Sequence, residues 1–273
     1  MESSTEAYLL LLLSDGNLPT GSFVASSGLE SLVKHGHFSR SWNERDATIN
    51  FIRDSLQSNA HSTLPFISHA HGIVTGYLSG EGTLESALDE IKRVEALYES
   101  MTLNHVTRRA SKAQGVALLT LFSKGFAQPS WVTTLQPESA KERRPEEVVD
   151  AFKTMVRRGD THGHLPTCWA VLTASLGLSL SRSQHLHLFL HARAVLSASI
   201  RLNTMGPYAA QQLLLHVVRP LVDATLAECQ DLRIPPHFDK PTNEDDDGPA
   251  TTWPLGEILA ARHDLQHSRI FNS

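Results

Sequence analysis

TLESALDEIKRVEALYES, residues 83–100, places Leu84, Leu88, Ile91 and Tyr98 at helical spacing and fills the positions between them with charge. Side chains three or four residues apart share one face of a helix, so this stretch has one apolar stripe and one wet face. Thr83, just after Gly80 and Gly82, is the kind of residue that accepts a hydrogen bond from a free N–H of the first turn, and it is read as the N-cap. The same pattern recurs on both sides. Ser41 and Glu44 form a capping-box pair ahead of Ala47, Phe51 and Leu56. Pro145 precedes Val148, Val149 and Phe152, and Pro166 precedes Trp169, Leu172 and Leu176. Both prolines fit a first helical turn, where the N–H they lack would have had no partner. Period-two alternation flanked by turns is scarce. The chain is therefore predicted to be all-α, a single compact bundle of roughly ten helices.

Two stretches interrupt the periodicity. Residues 124–145 mix Gly, Pro, Ser and charge and are expected to link an N-terminal and a C-terminal group of helices. Residues 231–252 hold Pro235, Pro236, Pro241, Pro249 and the acidic run Glu244 to Asp247, a composition expected to give a mobile loop. Residues 1–230 and 253–273 are assigned to one helical domain. No repeat of fixed period marks a solenoid.

The 273 residues suffice for a sizeable core, and 41% hydrophobic with 19% charged residues is an ordinary globular balance. A net charge of -5 offers no electrostatic footprint for nucleic acid or an anionic membrane. Cys168 and Cys229, far apart and outside any C-x-x-C, suit a reducing compartment. The apolar run Tyr8 to Leu13 is short and follows Glu2 and Glu6 instead of a basic region, so it is not read as a signal peptide. Thr161 to Ser181 carries no formal charge, but its histidines, proline and hydroxyls suit a helix buried in protein better than a membrane span. A cytoplasmic protein is expected.

Catalytic signatures are missing: there is no phosphate-binding G-x-x-x-x-G-K-[ST], no G-x-S-x-G and no H-E-x-x-H. Histidine is abundant, at 15 residues, and recurs as H-x-H at 35/37, 69/71, 162/164 and 185/187. Imidazole is a good ligand for nickel, zinc or copper. Residues two apart on a helix nevertheless point to nearly opposite faces, which denies the 69/71 and 185/187 pairs a shared ion. His187 and His191, four apart, share a face. The pairs 35/37 and 162/164 lie in looser sequence but have no Cys, Asp or Glu at familiar spacing. No metal, cofactor or catalytic residue is assigned.

The most distinctive segment is LPTGSFVASSGLE, residues 18–30. Pro19 and Gly21 make a rigid connector, Phe23 offers an aromatic plug, and Ser27 with Glu30 reads as a capping box for the next helix. A well-built turn between helices would explain all of this.

This segment, preceded by the leucine-rich run from Leu9 to Asp15, resembles the N-terminal signature of the urease accessory protein UreF family. Further resemblances follow in order: Thr161-His162-Gly163-His164-Leu165-Pro166, then Ile200-Arg201-Leu202-Asn203 with Gly206-Pro207 and Gln211, then His263 and Ser268-Arg269-Ile270-Phe271-Asn272-Ser273. Val24, Ala25 and Ser27 stand where many bacterial relatives have larger side chains, and Thr204 to Tyr208 is similar to the eukaryotic, fungal or plant-like form.

The resemblance implies an all-α, non-catalytic assembly protein, commonly a homodimer. Its partners would be UreD (UreH in some systems), the GTPase UreG and the urease apoprotein. Nickel, bicarbonate and GTP are then handled by the complex, with control of GTP hydrolysis a further role. It assigns UreD contact to Ser268, Arg269, Ile270 and Phe271, an apolar anchor and a planar cation on a loose terminus. A tail folded back on its own domain is the alternative. Pro19, Gly21, Phe23, Ser26, Gly28, Glu30, Arg201, Gly206 and Gln211 are carried over as family-motif positions on the dimer or UreG side. Arg201, on a helix that also carries Ala194, Ala198 and Leu202, would if buried need an acidic or carbonyl partner, for example across a dimer interface. Two other readings stand beside this one, a His-dependent helical metal-binding enzyme and a helical adaptor unrelated to urease.

Overall fold

The computed structural model describes residues 3–35, 43–128, 144–235 and 248–273. Among them helix follows helix without a strand: α1 (Ser3–Leu13), α2 (Leu29–Lys34), α3 (Glu44–Leu78), α4 (Leu84–Met101), α5 (His105–Leu121), α6 (Arg144–Arg158), α7 (Leu165–Ser175), α8 (Leu180–Arg201), α9 (Pro207–Leu213), α10 (Arg219–Cys229) and α11 (Pro254–Ala261). One wide π-turn, Phe122–Phe126, extends α5, and another, Leu214–Val218, joins α9 to α10. The all-α bundle expected from periodicity is the fold observed.

The stripe that opened the argument faces inward. Ile91 and Tyr98 are buried, Leu84 and Leu88 pack against the core, and Thr83 caps α4 in a reciprocal box with Ser86. Pro145 and Pro166 sit in first turns, with Val148, Val149, Phe152, Trp169 and Leu172 buried behind them. The start of α3 differs from expectation. Its cap is Asn43, whose side chain accepts the Arg45 N–H, and Glu44 is already the first helical residue. Ser41 lies outside the described residues.

Two helices organise the core. α7 is buried along nearly its whole length, as a segment without charge can be, and α3, 35 residues long, packs across it. No described helix is long and apolar enough to cross a membrane. Pro65 stands inside α3, where it cannot donate to the carbonyl four residues earlier. That carbonyl, of His61, accepts the Ala250 N–H at 3.3 Å instead, so a segment remote in sequence supplies the missing donor.

This contact lies at one flank of the loop expected over 231–252. Ile234 is buried against Phe66, Val94 and Tyr98, and Ala250 is tied to α3, so both flanks are anchored. The acidic run lies outside the described residues. So does most of the expected 124–145 linker, whose described ends are the π-turn and the first residues of α6.

Candidate functional site

The turn into α2 requires an unusual backbone. Ser27 and Gly28 both adopt positive φ, 53° and 88°, and the left-handed backbone at position 28 suits glycine. α2 therefore begins at Leu29 behind a glycine N-cap, the Glu30 N–H lies 3.5 Å from the Ser26 hydroxyl, and the Ser27–Glu30 capping box does not form. Glu30 is used elsewhere. Its carboxylate is fully buried and accepts the backbone N–H of Ile270 at 2.7 Å and of Phe271 at 3.2 Å, 240 residues away in sequence.

Further bonds seat the same segment. Asn272 N–H donates to Val24 O at 2.8 Å, while Ser26 donates to Ser273 O from its N–H at 2.6 Å and its hydroxyl at 2.9 Å. Lys34, which pairs with Glu30 at 3.4 Å, also donates to Ser268 through its ammonium. Phe271 is 2% exposed. The tail is folded back on its own domain, which replaces the expectation of a loose terminus. An apolar ring has been drawn into the core and two main-chain donors into a buried carboxylate.

Arg201 completes the arrangement. Its guanidinium carbon lies 3.9 Å from the centroid of Phe23 and 4.2 Å from that of Phe271, so the cation is sandwiched between the signature loop and the tail. No carboxylate pairs with it among the described residues. Its Nη2 is buried without a hydrogen bond, and desolvation lowers its pKa. The partner expected to be acidic or carbonyl is mainly aromatic. Phe23 is 60% exposed, so it lies over the cation as a lid and is not a plug.

Of the assigned positions, Phe23, Ser26, Glu30, Arg201 and Ser268 to Phe271 thus meet in one interlock. Pro19 and Gly21 lie on the exposed connector leading into it. Gly206, the N-cap of α9, and Gln211, within that helix, are exposed and lie outside the interlock. Sequence reading missed Asp264 and Arg109. Arg109 donates to Asp264 through both terminal nitrogens, at 2.9 and 3.0 Å, Arg269 donates to it at 2.7 Å, and Arg109 also reaches Asn272 O at 3.1 Å. The Arg109 guanidinium, more than any other group, holds the Asp264 carboxyl well below its ordinary range.

The histidines have separate tasks. His69 faces Glu90 on α4 while His71 bonds Leu178 O, and His185 faces Asp223 while His187 meets Thr63, so both pairs do point to opposite sides of their helices. His187 and His191 border a cavity of about 240 Å³ beneath the signature loop. Their Nε2 atoms are engaged by Thr63 at 3.2 Å and Ser55 at 2.7 Å. Those hydroxyls are eight residues apart on α3, roughly 12 Å along the axis, which separates the two nitrogens too far for one ion. The shared helical face expected for this pair therefore does not make them a ligand pair.

At 162/164 the fold brings a carboxylate that spacing did not reveal. His164 Nε2 is 2.6 Å and His162 Nδ1 3.9 Å from Glu99, but Lys112, at 2.9 Å, and Arg108, at 3.5 Å, stand beside the same carboxylate. Those cations occupy the electrostatic place a metal ion would need. Glu95, buried below, accepts the N–H groups of Gly163 and His164 and fixes the loop that starts α7. Its pKa is raised to about 7 by desolvation, and that of His164 is lowered to about 4 for the same reason. His37 lies outside the described residues.

The fold and the interlock define an all-helical protein in which an N-terminal signature loop and a distant tail are clamped into one surface. Residues 42–218 match the UreF family model. Over 99% of its length the chain is 40% identical to a protein of Cryptococcus neoformans named urease accessory protein 6, covering 98% of that relative. It is 28% identical to a UreF-like urease accessory protein of Schizosaccharomyces pombe, and 26% to a UreF of Paenarthrobacter aurescens, each over at least 99% of both chains. The chain belongs to the UreF family.

Proposed function

We propose that this chain is a non-catalytic urease accessory protein that binds UreD (UreH) through the clamped tail and signature loop, recruits UreG, and so promotes nickel insertion into apo-urease. Family membership supports the process. The observation that carries the site is the interlock itself. Glu30 and Ser26 hold the backbone of the tail and Arg201 holds the ring of Phe271, so Ile270, 57% exposed, is presented with Phe23 and Val24 on a rigid base. Exposed apolar side chains on an already ordered segment cost little entropy to bury against a partner. Nickel, bicarbonate and GTP belong in this reading to the assembled complex, with this chain supplying surface, geometry and control of UreG hydrolysis as a homodimer in the cytoplasm.

Deleting residues 268–273 tests the assignment. The truncated chain is expected to keep its helical circular dichroism yet no longer co-purify with UreD. Retained co-purification would remove the tail from the interface.

A further inference from the structure

A groove of about 890 Å³ runs between α5, the signature loop and the tail. Arg109 and Arg269 converge on one side-chain carboxylate, Asp264, and no second Asp or Glu side chain lines the groove. Arg109 has placed both terminal nitrogens on Asp264 and Asn272. Arg269 uses only Nη1; its Nε and Nη2 make no hydrogen bond among the described residues, and its side chain is 42% exposed. His105 also approaches Asp264, at 3.2 Å.

Two further features limit what could fit. Exposed Val24 and Ile270 flank the cationic fork, and Gln114 supplies a neutral polar contact. A guanidinium fork matches a carboxylate in plane and in hydrogen-bond geometry. Apolar side chains on either side give a peptide something to bury that an inorganic anion lacks.

We infer that this groove receives an apolar segment of the docking protein that carries an Asp or Glu, with Arg269 as the fork that reads the carboxylate. The inference rests on the reading of the tail as the UreD-binding face and names the chemistry of the segment that face accepts. Asp264 keeps Arg269 in place before docking, and the incoming carboxylate takes the unused side of the same guanidinium. Partial exposure keeps the attraction sensitive to salt.

The test uses the full chain in complex with UreD. In the Arg269→Lys variant the new amine is expected to couple, on carbodiimide treatment, to an Asp or Glu of UreD that peptide mass spectrometry identifies. In Arg269→Met, affinity is expected to fall about tenfold or more, and the salt dependence between 50 and 500 mM to flatten relative to wild type. Coupling only to Asp264, or to a carboxylate of a second copy of this chain, would overturn the inference, as would wild-type affinity and salt dependence in Arg269→Met. Protection of the Phe271 amide should persist in both variants; its loss would make Arg269 merely structural. Absence of any complex with the wild-type chain would sink the reading of the tail face itself, an outcome separate from the others.

Discussion

Replacing Glu30 by Gln isolates the clamp with little change in shape. The carboxylate receives two tail N–H groups at 2.7 and 3.2 Å and is buried completely, so both bonds are charge-assisted and shielded from water. Such bonds contribute about 1.5–3 kcal/mol each. An amide keeps one acceptor and turns an NH₂ toward the other N–H, while relieving the cost of burying a charge. The net loss should be roughly 2–4 kcal/mol of tail docking, about 30- to 700-fold in the opening equilibrium. Native-state hydrogen exchange reads this directly. The Ile270, Phe271 and Asn272 amides should exchange faster by that factor, while the slowest amides of α3 and α7 hold their protection, because the tail is an edge of the fold. Unchanged tail exchange would refute the clamp, and an equal loss in α3 and α7 would refute its separation from the core.

Arg201→Met, which keeps the stem and removes the cation, should accelerate Phe271 amide exchange through loss of two ring contacts worth together about 1–3 kcal/mol, with Arg201→Lys less affected; equal exchange in all three proteins would exclude the sandwich. Gly115→Ala should destabilise the fold in urea titrations by about 1–3 kcal/mol, because its Cβ would come 2.2 Å from Gly163 O. Alanine gains up to about 1 kcal/mol of helix propensity there, so a stabilised variant would show that the α5–α7 contact is looser than drawn. Acid should weaken the protein through His164, His187 and His191, whose pKa values burial lowers to about 4, 3 and 4. The unfolded chain takes up those protons first, so their stabilising contribution is complete above about 6.5 and is lost as pH falls through the folded values. Glu95, raised to about 7, runs the other way, its contribution present below about 4.5 and lost as pH rises through 7. Between pH 7 and 5 the three histidines should prevail, and Glu95→Gln should steepen the loss; stability that is flat or rises on acidification contradicts the balance.

Helices and their burial were legible because the causes are local. The stripe from Leu84 to Tyr98, the cap at Thr83 and the first-turn prolines each depend on neighbours within four residues, and each stands where periodicity put it. The clamp was not legible, because its causes are remote. Ser27-x-x-Glu30 satisfies the local pattern of a capping box, yet the positive φ at Ser27 and Gly28 turns the chain so that the carboxylate meets residues 270 and 271. Arg201 could be expected to need a partner, but an aromatic pair leaves no mark in charge spacing. Asp264 and Arg109 carried no signal, since their meeting depends on how the tail crosses α5.

The histidines show how composition misleads until geometry is applied. Fifteen imidazoles suggest metal, but a buried imidazole also serves as a neutral side chain with one donor and one acceptor on opposite edges of a flat ring. α3 and α8 use it that way, His187 meeting Thr63 and His191 meeting Ser55, so that hydroxyls from one long helix engage ring nitrogens from the other. His263 does the same for the tail, its Nε2 lying 3.2 Å from Phe271 O in the residue whose N–H is held by Glu30. With its ring buried and its main chain held on both sides, Phe271 is the fixed point from which Ile270 and Arg269 project. A partner recognising those two side chains would be sensing whether the signature loop, α2 and the end of α8 are correctly assembled beneath them.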